Sequence, residues 1–486
     1  MKQAIVIGAG IAGLAASIRL KAKGYEVTVF EQAEQAGGKM GEIESQGYRW
    51  DTGPSLFTMP QLVDELFRLL GEEPRERFNY LSKKTICNYF WADGCRFQAK
   101  ADPHSFIKDA AQTFGEDEKN IKNYLENSKL KYDSTAPLFL DRSLHKPSTY
   151  FSLDTLKAIS KVGKLDLNSS LNGVNEKYFS NPKLIQLFNR YATYNGSSPY
   201  ETPGIMSMIP SLEMQQGTYF PEGGMRAIAE SLFQLAKRHG VEFKFNEAVE
   251  EILHENEKVS GIRTKSVVYK ATVFVCNMDV FYAYKKLLPK AKAPKKILKQ
   301  ERSSSGIIFY WGIKQTFPEL DLHNIFFSED YKKEFEAIFN QKKVPDDPTI
   351  YINITSKERK EDAPEGGENW FVMINVPATT DQDWSERVSQ AKKVIIKKLN
   401  RILNIDLTAL IETEDHLDPT LIEKKTFSHL GALYGTASNN KYAAFLRHAN
   451  FSQQFENLWF CGGSVHPGGG IPLCLKSAKI ASSLIP

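Results

Sequence analysis

Three glycines near the start of the chain have a spacing that suits a phosphate-binding turn. Gly8, Gly10 and Gly13 form a G-x-G-x-x-G pattern, with Ala12 inside it, between an apolar run and a segment of helical periodicity. The first glycine permits a tight turn, the second lets a pyrophosphate approach the backbone, and the third allows close helix–strand packing. Glu31 ends a second predicted strand and suits a ribose hydroxyl pair. The pattern predicts a dinucleotide site without a 2′-phosphate, because no basic residue adjoins Glu31.

Two further turns follow within the first sixty residues. Five residues separate Glu31 from Gly37-Gly38-Lys39, and Gly53-Pro54 begins another turn that continues through Ser55 and Leu56. This set resembles the flavoprotein extension E-x5-G-G-R/K and favours FAD over NAD. Lys39 stands where many such sequences have Arg, so a point charge replaces a bidentate fork at this position.

A second glycine-rich loop almost closes the chain. The segment "LWFCGG" is a predicted strand, and "GGSVHPGGGIPLCLKSAKIASSLI" continues it into a loop and a helix that begins near Pro472. The helix N-terminus is expected to face the electron-rich edge of the flavin, because its free N–H groups and dipole favour negative charge. The loop and helix residues assigned to the cofactor are Gly462, Gly463, Gly470, Ile471 and Leu473, and the middle of the chain adds Val249 and Asn277.

The elements that must position these turns come from separated parts of the sequence. We predict an α/β fold with a discontinuous Rossmann-like FAD-binding domain, residues 1–75, 216–300 and 425–486. Residues 76–215 and 301–424 form an inserted α+β substrate domain with a mixed sheet plus helices. The runs "GIIFYWGI", "TIYINIT" and "NWFVMINV" are rich in β-branched and aromatic residues and predict strands of the second sheet, whereas 76–215 reads as several helical segments.

Composition excludes several other classes of protein. The net charge of +4, from 62 basic and 58 acidic residues among 486, is too mild for a nucleic-acid binder. The five cysteines form no C-x-x-C pair, so neither a disulfide framework nor a metal site is expected. No run of 18 apolar residues predicts a spanning helix. The apolar N-terminal run could pass for a signal peptide, but Arg19, Lys21 and Lys23 interrupt it.

Three longer stretches resemble one family. They are "DTGPSLFTMPQLVDELF", "YATYNGSSPYETPGIMSMIPSLEMQQGTYFPEGGM" and "NLWFCGGSVHPGGGIPLCLKSAKIAS". They are similar to the bacterial-type phytoene desaturases and other carotenoid desaturases, FAD-dependent enzymes of the amine-oxidase-like superfamily. The resemblance spans both ends and the middle of the chain. Within the family, the sequence looks closest to the carotenoid 3,4-desaturases, which act on hydroxylated acyclic or monocyclic carotenoids.

The resemblance implies an activity, its partners and a location. A hydride passes from an allylic carbon to flavin N5, which introduces a conjugated double bond, and oxygen or a quinone re-oxidises the flavin. The carotenoid occupies a long apolar tunnel in a cytoplasmic protein that contacts the inner face of the cell membrane peripherally, with no nucleic-acid partner. The aromatic residues considered for the tunnel are Phe139, Tyr150, Phe151, Phe179, Phe188, Tyr191 and Tyr194.

Other functions remain open at this stage. They are a carotenoid cis–trans isomerase that uses reduced FAD, another phytoene-desaturase-like flavin oxidase, an amine or protoporphyrinogen oxidase, and a prenyl-binding GDP-dissociation inhibitor. The intact glycine pattern and Glu31 argue against the last of these.

The proton that leaves the substrate has several candidate acceptors. His466 is the titratable residue within the closing glycine loop, and Glu213 lies in the central motif; both are assigned as catalytic candidates. Tyr219 and Glu222 are weaker candidates. Because loss of hydride beside a polyene leaves a delocalised cation, our hypothesis is that no single base is indispensable.

Two segments could lie on a bilayer. Eight basic residues between Lys285 and Arg302 stand beside Leu287, Leu288, Ile297 and Leu298, although a solvated face explains the same pattern. The other segment, "STYFSLDTLKAISKVGKL", is apolar on one side and carries Lys157, Lys161 and Lys164.

Overall fold

The protein is built around two large β-sheets. The structure is a computed structural model that describes residues 2–151, 163, 165–440 and 445–486. In chain order the strands of its N-terminal half are β1 (Gln3–Ile7), β2 (Glu26–Phe30), β3 (Glu42–Ser45), β4 (Tyr48–Asp51), β5 (Tyr80–Ser82), β6 (Thr85–Phe90), β7 (Arg96–Lys100), β8 (Tyr219–Pro221) and β9 (Glu242–Lys244). The later strands are β10 (Val249–Glu255), β11 (Lys258–Thr264), β12 (Val268–Tyr269), β13 (Val273–Cys276), β14 (Ser305–Ile313), β15 (His323–Phe326), β16 (Ile350–Ile354), β17 (Glu368–Val376), β18 (Ile411–Leu417) and β19 (Leu458–Phe460).

Helices connect and cover these strands. The longer helices are Ile11–Ala22, Gln61–Leu69, Pro103–Phe114, Glu118–Phe139, Leu171–Tyr178, Pro182–Asn189, Arg226–Arg238, Trp384–Leu403, Pro419–Thr426 and Ile471–Ser483. Shorter α-helical segments are Pro147–Tyr150, Pro210–Met214, Val280–Tyr282, Lys295–Leu298, Tyr331–Phe335 and Leu407–Leu410. Single turns of other helix types are Pro74–Glu76, Arg190–Asn195, Gly204–Met208, Ala283–Leu287, Glu336–Gln341, Thr355–Lys357, Lys360–Asp362 and His429–Gly431.

The first sheet is parallel and contains the predicted nucleotide-binding strands. Its order is β19-β13-β1-β2-β9, and each neighbouring pair is parallel. The apolar runs of β1 and β13 are buried on both faces, as a parallel sheet covered by helices requires. Helices Ile11–Ala22, Arg226–Arg238 and Ile471–Ser483 contribute to the core beside it. Strands from both ends and the middle of the chain therefore share one sheet, which confirms the predicted α/β class with a discontinuous Rossmann-like part.

The second sheet is mixed and has two different faces. Its order is β18-β14-β17-β16-β15-β6-β7, with β15 and β6 parallel and the other pairs antiparallel. Because side chains alternate along a strand, Ile307, Phe309 and Trp311 face one side, where they join a core with helix Trp384–Leu403. Ile308 and Tyr310 face the opposite side, which forms a cavity wall.

The structure places several strands that the sequence pattern left unassigned. Within residues 76–215, which contain several predicted helical segments, β6 and β7 lie at the edge of the second sheet before the helices begin. Strands β10 to β12 form a separate antiparallel sheet. Whether such short runs form strands, and in which sheet, depends on pairing with strands distant in sequence, which the local pattern does not show. The proposed domain boundaries stay a prediction.

The structure describes one of the two predicted membrane segments and little of the other. Most of "STYFSLDTLKAISKVGKL" lies outside the described residues. In the basic segment, Leu287 and Leu288 are buried in a core cluster, so they are not available to enter a bilayer as expected. Within the described parts of the chain, no helix combines the length and apolarity needed to cross a membrane.

Candidate active site

Four strand ends of the parallel sheet meet at one cavity. Strands β1, β2, β13 and β19 are followed by Gly8, Glu31, Asn277 and, one residue further on, Gly462, and all four line a cavity of about 700 Å³. Ligands of open α/β sheets bind in the crevice outside the carboxyl ends of the strands. The parallel sheet therefore assembles the predicted nucleotide residues from three distant segments at one place.

The first glycine turn has the backbone geometry that the pattern predicts. Gly8 has φ +95°, a conformation that strongly favours glycine. Asn277 Nδ2 donates to the Gly8 carbonyl at 3.4 Å and would lie 3.0 Å from a Cβ on Gly10. A Cβ on Gly13 would lie 1.9 Å from the Gly8 carbonyl oxygen. Gly10 and Ala12 line the cavity, whereas Gly13 does not and packs against the Gly8 carbonyl. The assignment of Gly13 to the cofactor stays a prediction.

The carboxylate of Glu31 is held beside this turn. Its Oε2 accepts the Ala9 amide at 2.7 Å and its Oε1 accepts the Ala33 amide at 3.0 Å. The Glu247 amide donates to the Glu31 carbonyl, which brings Val249, at the start of β10, to the same side of the cavity. The arrangement leaves carboxylate lone pairs for a ribose hydroxyl pair.

The second turn packs directly on the first. Gly38 has φ +61°, and a Cβ there would lie 3.1 Å from Gly10 Cα. A Cβ on Gly53 would lie 1.9 Å from the Lys39 carbonyl oxygen, so these turns require glycine for close backbone contact. Gly38, Lys39, Gly53, Pro54, Ser55 and Leu56 all line the cavity.

The closing glycine loop presents a helix N-terminus to the cavity. Gly470 precedes helix Ile471–Ser483 with φ +98°, and no side chain caps its first amides. Space beside Gly470 is open, since a Cβ there would meet no atom within 4 Å. The first turn of this helix lines the cavity together with Gly462 and Gly463. Free amides at this position suit an anionic or electron-rich ligand edge.

A half-buried lysine, Lys39, and a buried arginine, Arg447, flank the same helix start. Lys39 Nζ donates to the Leu433 carbonyl at 3.0 Å, and burial lowers its pKa. Arg447 is 2% exposed, and its Nη1 donates to the Tyr434 carbonyl at 3.0 Å. Burial lowers the pKa of Arg447 to about 10, and it forms no ion pair with a carboxylate of the described residues. Burial raises the pKa of Cys474, in the first helical turn, to about 11, against the nearby charges of Lys39 and Arg447.

Arg447 provides a test of whether a flavin fits. In the part of the chain that the structure describes, its Nε has no hydrogen-bond partner although the residue is buried. A buried charge without a counter-ion is costly unless a ligand supplies one. Arg447, Lys39 and an uncapped helix start, together with the glycine turns after β1 and β19, fit a dinucleotide whose redox end becomes negative on reduction. Sequence reasoning missed Arg447, because no motif includes it.

The rest of the cavity is an apolar chamber. One wall is the second face of the mixed sheet, and it contributes Ile308, Tyr310, Ile325, Tyr351, Phe371, Met373 and Leu417. The facing side comes from the helical segments and contributes Tyr132, Phe139, Leu140, Tyr194, Met206, Met208, Ile209 and Leu212. Of the aromatic residues predicted for a tunnel, Phe139 and Tyr194 line the cavity. Phe179, Phe188 and Tyr191 belong to a core cluster instead, and Tyr150 and Phe151 are exposed.

Glu213 lines the cavity within a buried ion pair. Its Oε2 lies 3.0 Å from Arg190 Nη2 and accepts the Tyr191 hydroxyl at 2.5 Å. The Arg190 guanidinium lies over the rings of Tyr191 and Tyr194 at 4.4 and 5.6 Å. These contacts hold the carboxylate in place and give it a structural role, while a catalytic role stays a prediction.

His466 also lines the cavity and is 2% exposed. Its Nε2 lies 2.9 Å from the Arg142 carbonyl and must therefore carry a proton to donate there. Burial lowers the pKa of His466 to about 4, so the ring is neutral near pH 7. The weaker candidates are wrong as cavity residues: Tyr219 donates to the Gln216 carbonyl and Glu222 is exposed, and neither lines the cavity.

Comparisons with known proteins agree with this site. The profile of the family "Flavin containing amine oxidoreductase" matches residues 11–486. The chain is 60% identical to a 1-hydroxycarotenoid 3,4-desaturase of Flavobacterium sp. (strain P99-3), covering 100% of this chain and 99% of that protein. It is 33% identical to a 4,4'-diaponeurosporene oxygenase of Staphylococcus aureus (strain MSSA476), covering 98% and 97%.

Solved structures share the fold at low sequence identity. An oxidoreductase from Methanosarcina mazei superposes with a TM-score of 0.67 at 15% identity, covering 99% of each chain. Putrescine oxidase bound to putrescine gives a TM-score of 0.64 at 12% identity, covering 99% of this chain and 98% of that one. The predicted resemblance to carotenoid desaturases is confirmed, and a flavin is the cofactor. The chain belongs to the flavin-containing amine oxidoreductase family.

Proposed function

We propose that the protein is an FAD-dependent carotenoid 3,4-desaturase that introduces a conjugated double bond into an acyclic or monocyclic, hydroxylated carotenoid. The observation that carries this proposal is the 60% identity to a 1-hydroxycarotenoid 3,4-desaturase along both whole chains. The cavity supports it, because the same space contacts the glycine turns and a broad apolar wall. An apolar chamber of this kind suits a polyene better than a charged amine.

FAD is proposed over a mononucleotide flavin because of the first turn. Gly8, Gly10 and Glu31 form a pyrophosphate and ribose site that a mononucleotide would leave partly unused. Gly38, Lys39 and the closing loop would hold the ribityl and ring portions. When bound, the flavin supplies the two-electron redox chemistry.

The chain itself supplies orientation and electrostatics. Ile308, Phe371 and Met373 form a wall from which water is excluded and against which a polyene is held in register. The backbone N–H groups of Gly470 and Ile471, with Lys39 and Arg447, would stabilise negative charge at the redox end. Because hydrogen bonds and packing already hold these groups in position, they would need little reorganisation when the flavin becomes negative.

Proton removal needs no dedicated base in this proposal. Glu213 is engaged by Arg190 and Tyr191, and His466 donates to a backbone carbonyl. His466→Ala should therefore retain flavin and part of its turnover. A flavin-loaded variant without any turnover would contradict the absence of an indispensable base.

The function is tested with the flavin-loaded protein and a panel of acyclic, hydroxylated and monocyclic carotenoids. The expected product lacks two hydrogen atoms and absorbs at longer wavelength, because the chromophore is longer. A product of unchanged mass would indicate an isomerase. A product that gains oxygen would favour an oxygenase, the activity named for the Staphylococcus aureus relatives at 33% identity. Either result would overturn the desaturase proposal.

The electron acceptor is oxygen or a membrane quinone, and parallel assays of oxygen uptake and quinone reduction distinguish them. We place the protein in the cytoplasm, in peripheral contact with the inner face of the cell membrane. Exposed aromatic side chains support this contact: Tyr150 and Phe151 are 50% and 89% exposed. Tyr150 donates to the Leu144 carbonyl, and Leu144 belongs to a small cluster with the cavity-lining Phe139 and Phe445.

Sedimentation with vesicles of anionic phospholipid tests the membrane contact. Phe151→Ser should weaken binding roughly tenfold, as the loss of one inserted aromatic side chain implies. Leu69→Ser is a matched control, since Leu69 is 43% exposed at the end of another helix. Equal binding by wild type and the Phe151 variant, or no binding by the wild type, would contradict the contact.

A further inference from the structure

A chain of polar side chains interrupts the apolar wall of the cavity. Ser55 Oγ lies 2.8 Å from Tyr351 Oη, and Tyr351 Oη lies 2.8 Å from His323 Nδ1. All three residues line the cavity, and their neighbours on this sheet face include Ile325, which pairs with Tyr351 in the sheet register. Burying polar groups in an apolar wall costs free energy, so their presence here indicates a function.

The direction of the hydrogen bonds follows from Asn353. Its Nδ2 donates to the Leu322 carbonyl at 2.9 Å, which orients the amide, and the same nitrogen lies 3.3 Å from His323 Nδ1. An amide nitrogen only donates, so His323 Nδ1 is an acceptor and does not carry the proton. Tyr351 then donates to His323, and Ser55 donates to Tyr351.

His323 is left with one outstanding donor. Burial lowers its pKa to about 3, so the ring is neutral and its single proton is on Nε2. This nitrogen has no hydrogen-bond partner among the described residues, and the residue is 3% exposed. Since nearly all buried polar atoms are paired, an unpaired N–H on a cavity-lining residue calls for a ligand acceptor.

The chain starts beside the proposed flavin contacts. Ser55 directly follows Gly53 and Pro54, and all three line the cavity. In a carotenoid with a hydroxyl on carbon 1, the oxygen is only three to four bonds from carbons 3 and 4, roughly 4–5 Å. A group that recognises this hydroxyl must therefore stand close to the redox centre, on the substrate side.

We propose that His323 Nε2–H, oriented by Tyr351 and Ser55, donates a hydrogen bond to the terminal hydroxyl of the carotenoid. The inference rests on the proposed desaturase function and names the side chains that select hydroxylated substrates. A carotenoid without the hydroxyl leaves the N–H unpaired in an apolar site, and this penalty reduces its binding.

The experiment compares two acyclic carotenoids that differ only in the terminal hydroxyl. Their dissociation constants are measured by quenching of tryptophan fluorescence in flavin-loaded protein, alongside kcat/KM where turnover occurs. The wild type should prefer the hydroxylated compound about tenfold, and His323→Phe should abolish the preference. His323→Gln, whose amide can place a donor near Nε2, should restore part of it. His104→Phe, at an exposed position outside the cavity lining, should keep the wild-type preference.

Binding separates this inference from the function on which it rests. Equal affinity of the wild type for the two compounds, or an undiminished preference in a flavin-loaded His323→Phe protein, overturns the hydroxyl contact. Preferential binding without any desaturation contradicts the proposed function and leaves the contact supported. Flavin content and the thermal unfolding midpoint of each variant show whether it is folded. If His323→Phe does not fold, the lost preference is sought in the smaller variant His323→Leu, which also lacks a side-chain donor, and a wild-type preference there overturns the contact.

Discussion

The two ends of the cavity are built in different ways. At the nucleotide end, backbone forms much of the surface: Gly8, Gly10 and Gly470 bring amides and open space to the ligand. At the substrate end, side chains form the surface, from the face of a mixed sheet and the helices opposite it. Substitution at the first end removes room for the backbone, whereas substitution at the second changes shape, charge or pairing.

The contrast between the two ends predicts which positions tolerate amino-acid substitution. A Cβ at Gly13 or Gly53 would meet a carbonyl oxygen at 1.9 Å, which side-chain adjustment cannot relieve. Apolar residues on the sheet face can be exchanged for others of similar volume at smaller cost. Single substitutions at the nucleotide end should therefore abolish flavin binding or folding, whereas substitutions at the substrate end should change substrate binding by degrees.

The largest effect is expected at the nucleotide end. Gly13→Val should abolish flavin binding or prevent folding, because the added atoms overlap the Gly8 carbonyl. Visible flavin absorbance per protein and soluble yield measure it. Gly173→Ala is the control, since a Cβ there would be at an ordinary 3.4 Å from its nearest neighbour, Ser170 Oγ. Wild-type flavin content in the Gly13→Val variant would contradict the expectation that the nucleotide end does not tolerate added side-chain atoms.

The substrate end should show its largest effect at the buried ion pair. Glu213→Leu should destabilise the protein by about 3–5 kcal/mol, because Arg190 would remain buried without its partner. Chemical unfolding measures the loss. The double variant with Arg190→Met removes both charges and should recover much of it. A single variant as stable as the wild type would show that this pair does not organise the substrate end.

Arg447 tests the electrostatics of the nucleotide end without changing its backbone. Arg447→Met should lower the reduction potential of bound flavin and weaken sulfite addition to it about tenfold, because a buried cation is lost. Spectroscopic titration with sulfite and a redox dye measures both. Arg263→Met is the matched control, since Arg263 is half exposed and paired with Glu251. Unchanged sulfite affinity would mean that the guanidinium does not act on the flavin.

The smallest expected effect is a dependence of protein stability on pH, to which buried histidines at both ends of the cavity contribute. Burial lowers the pKa of His466 to about 4 and that of His323 to about 3, from an ordinary 6.5. Below pH 6.5 the unfolded chain takes up protons that the folded protein does not, so these histidines make stability fall as the pH drops toward 4. Denaturation midpoints across this window measure the fall, which should be shallower in His466→Gln. An equal slope in the two proteins would contradict the contribution of His466.

The nucleotide end could be predicted from sequence in considerable detail. Its glycine turns are contiguous motifs, and the first and the closing turn follow strands β1 and β19 of the parallel sheet, so local pattern and position in the fold coincide there. Of the residues assigned to the cofactor, all except Gly13 line the cavity. The substrate end could not be predicted in this way. Arg190, His323 and Tyr351 belong to no motif, and they meet only because a helical segment and two strands converge.

The α/β class, the flavoprotein family and the glycine positions could be predicted from the sequence alone, because backbone turns and strand periodicity are local properties. The folded structure was needed to show which aromatic side chains line the cavity, that β6 and β7 join the second sheet, and that Leu287 and Leu288 are buried. It was also needed to find the donor of His323 that has no partner among the described residues. Burial, ion pairing and hydrogen-bond direction depend on residues far apart in the chain, whose contacts exist only after the sheets have formed.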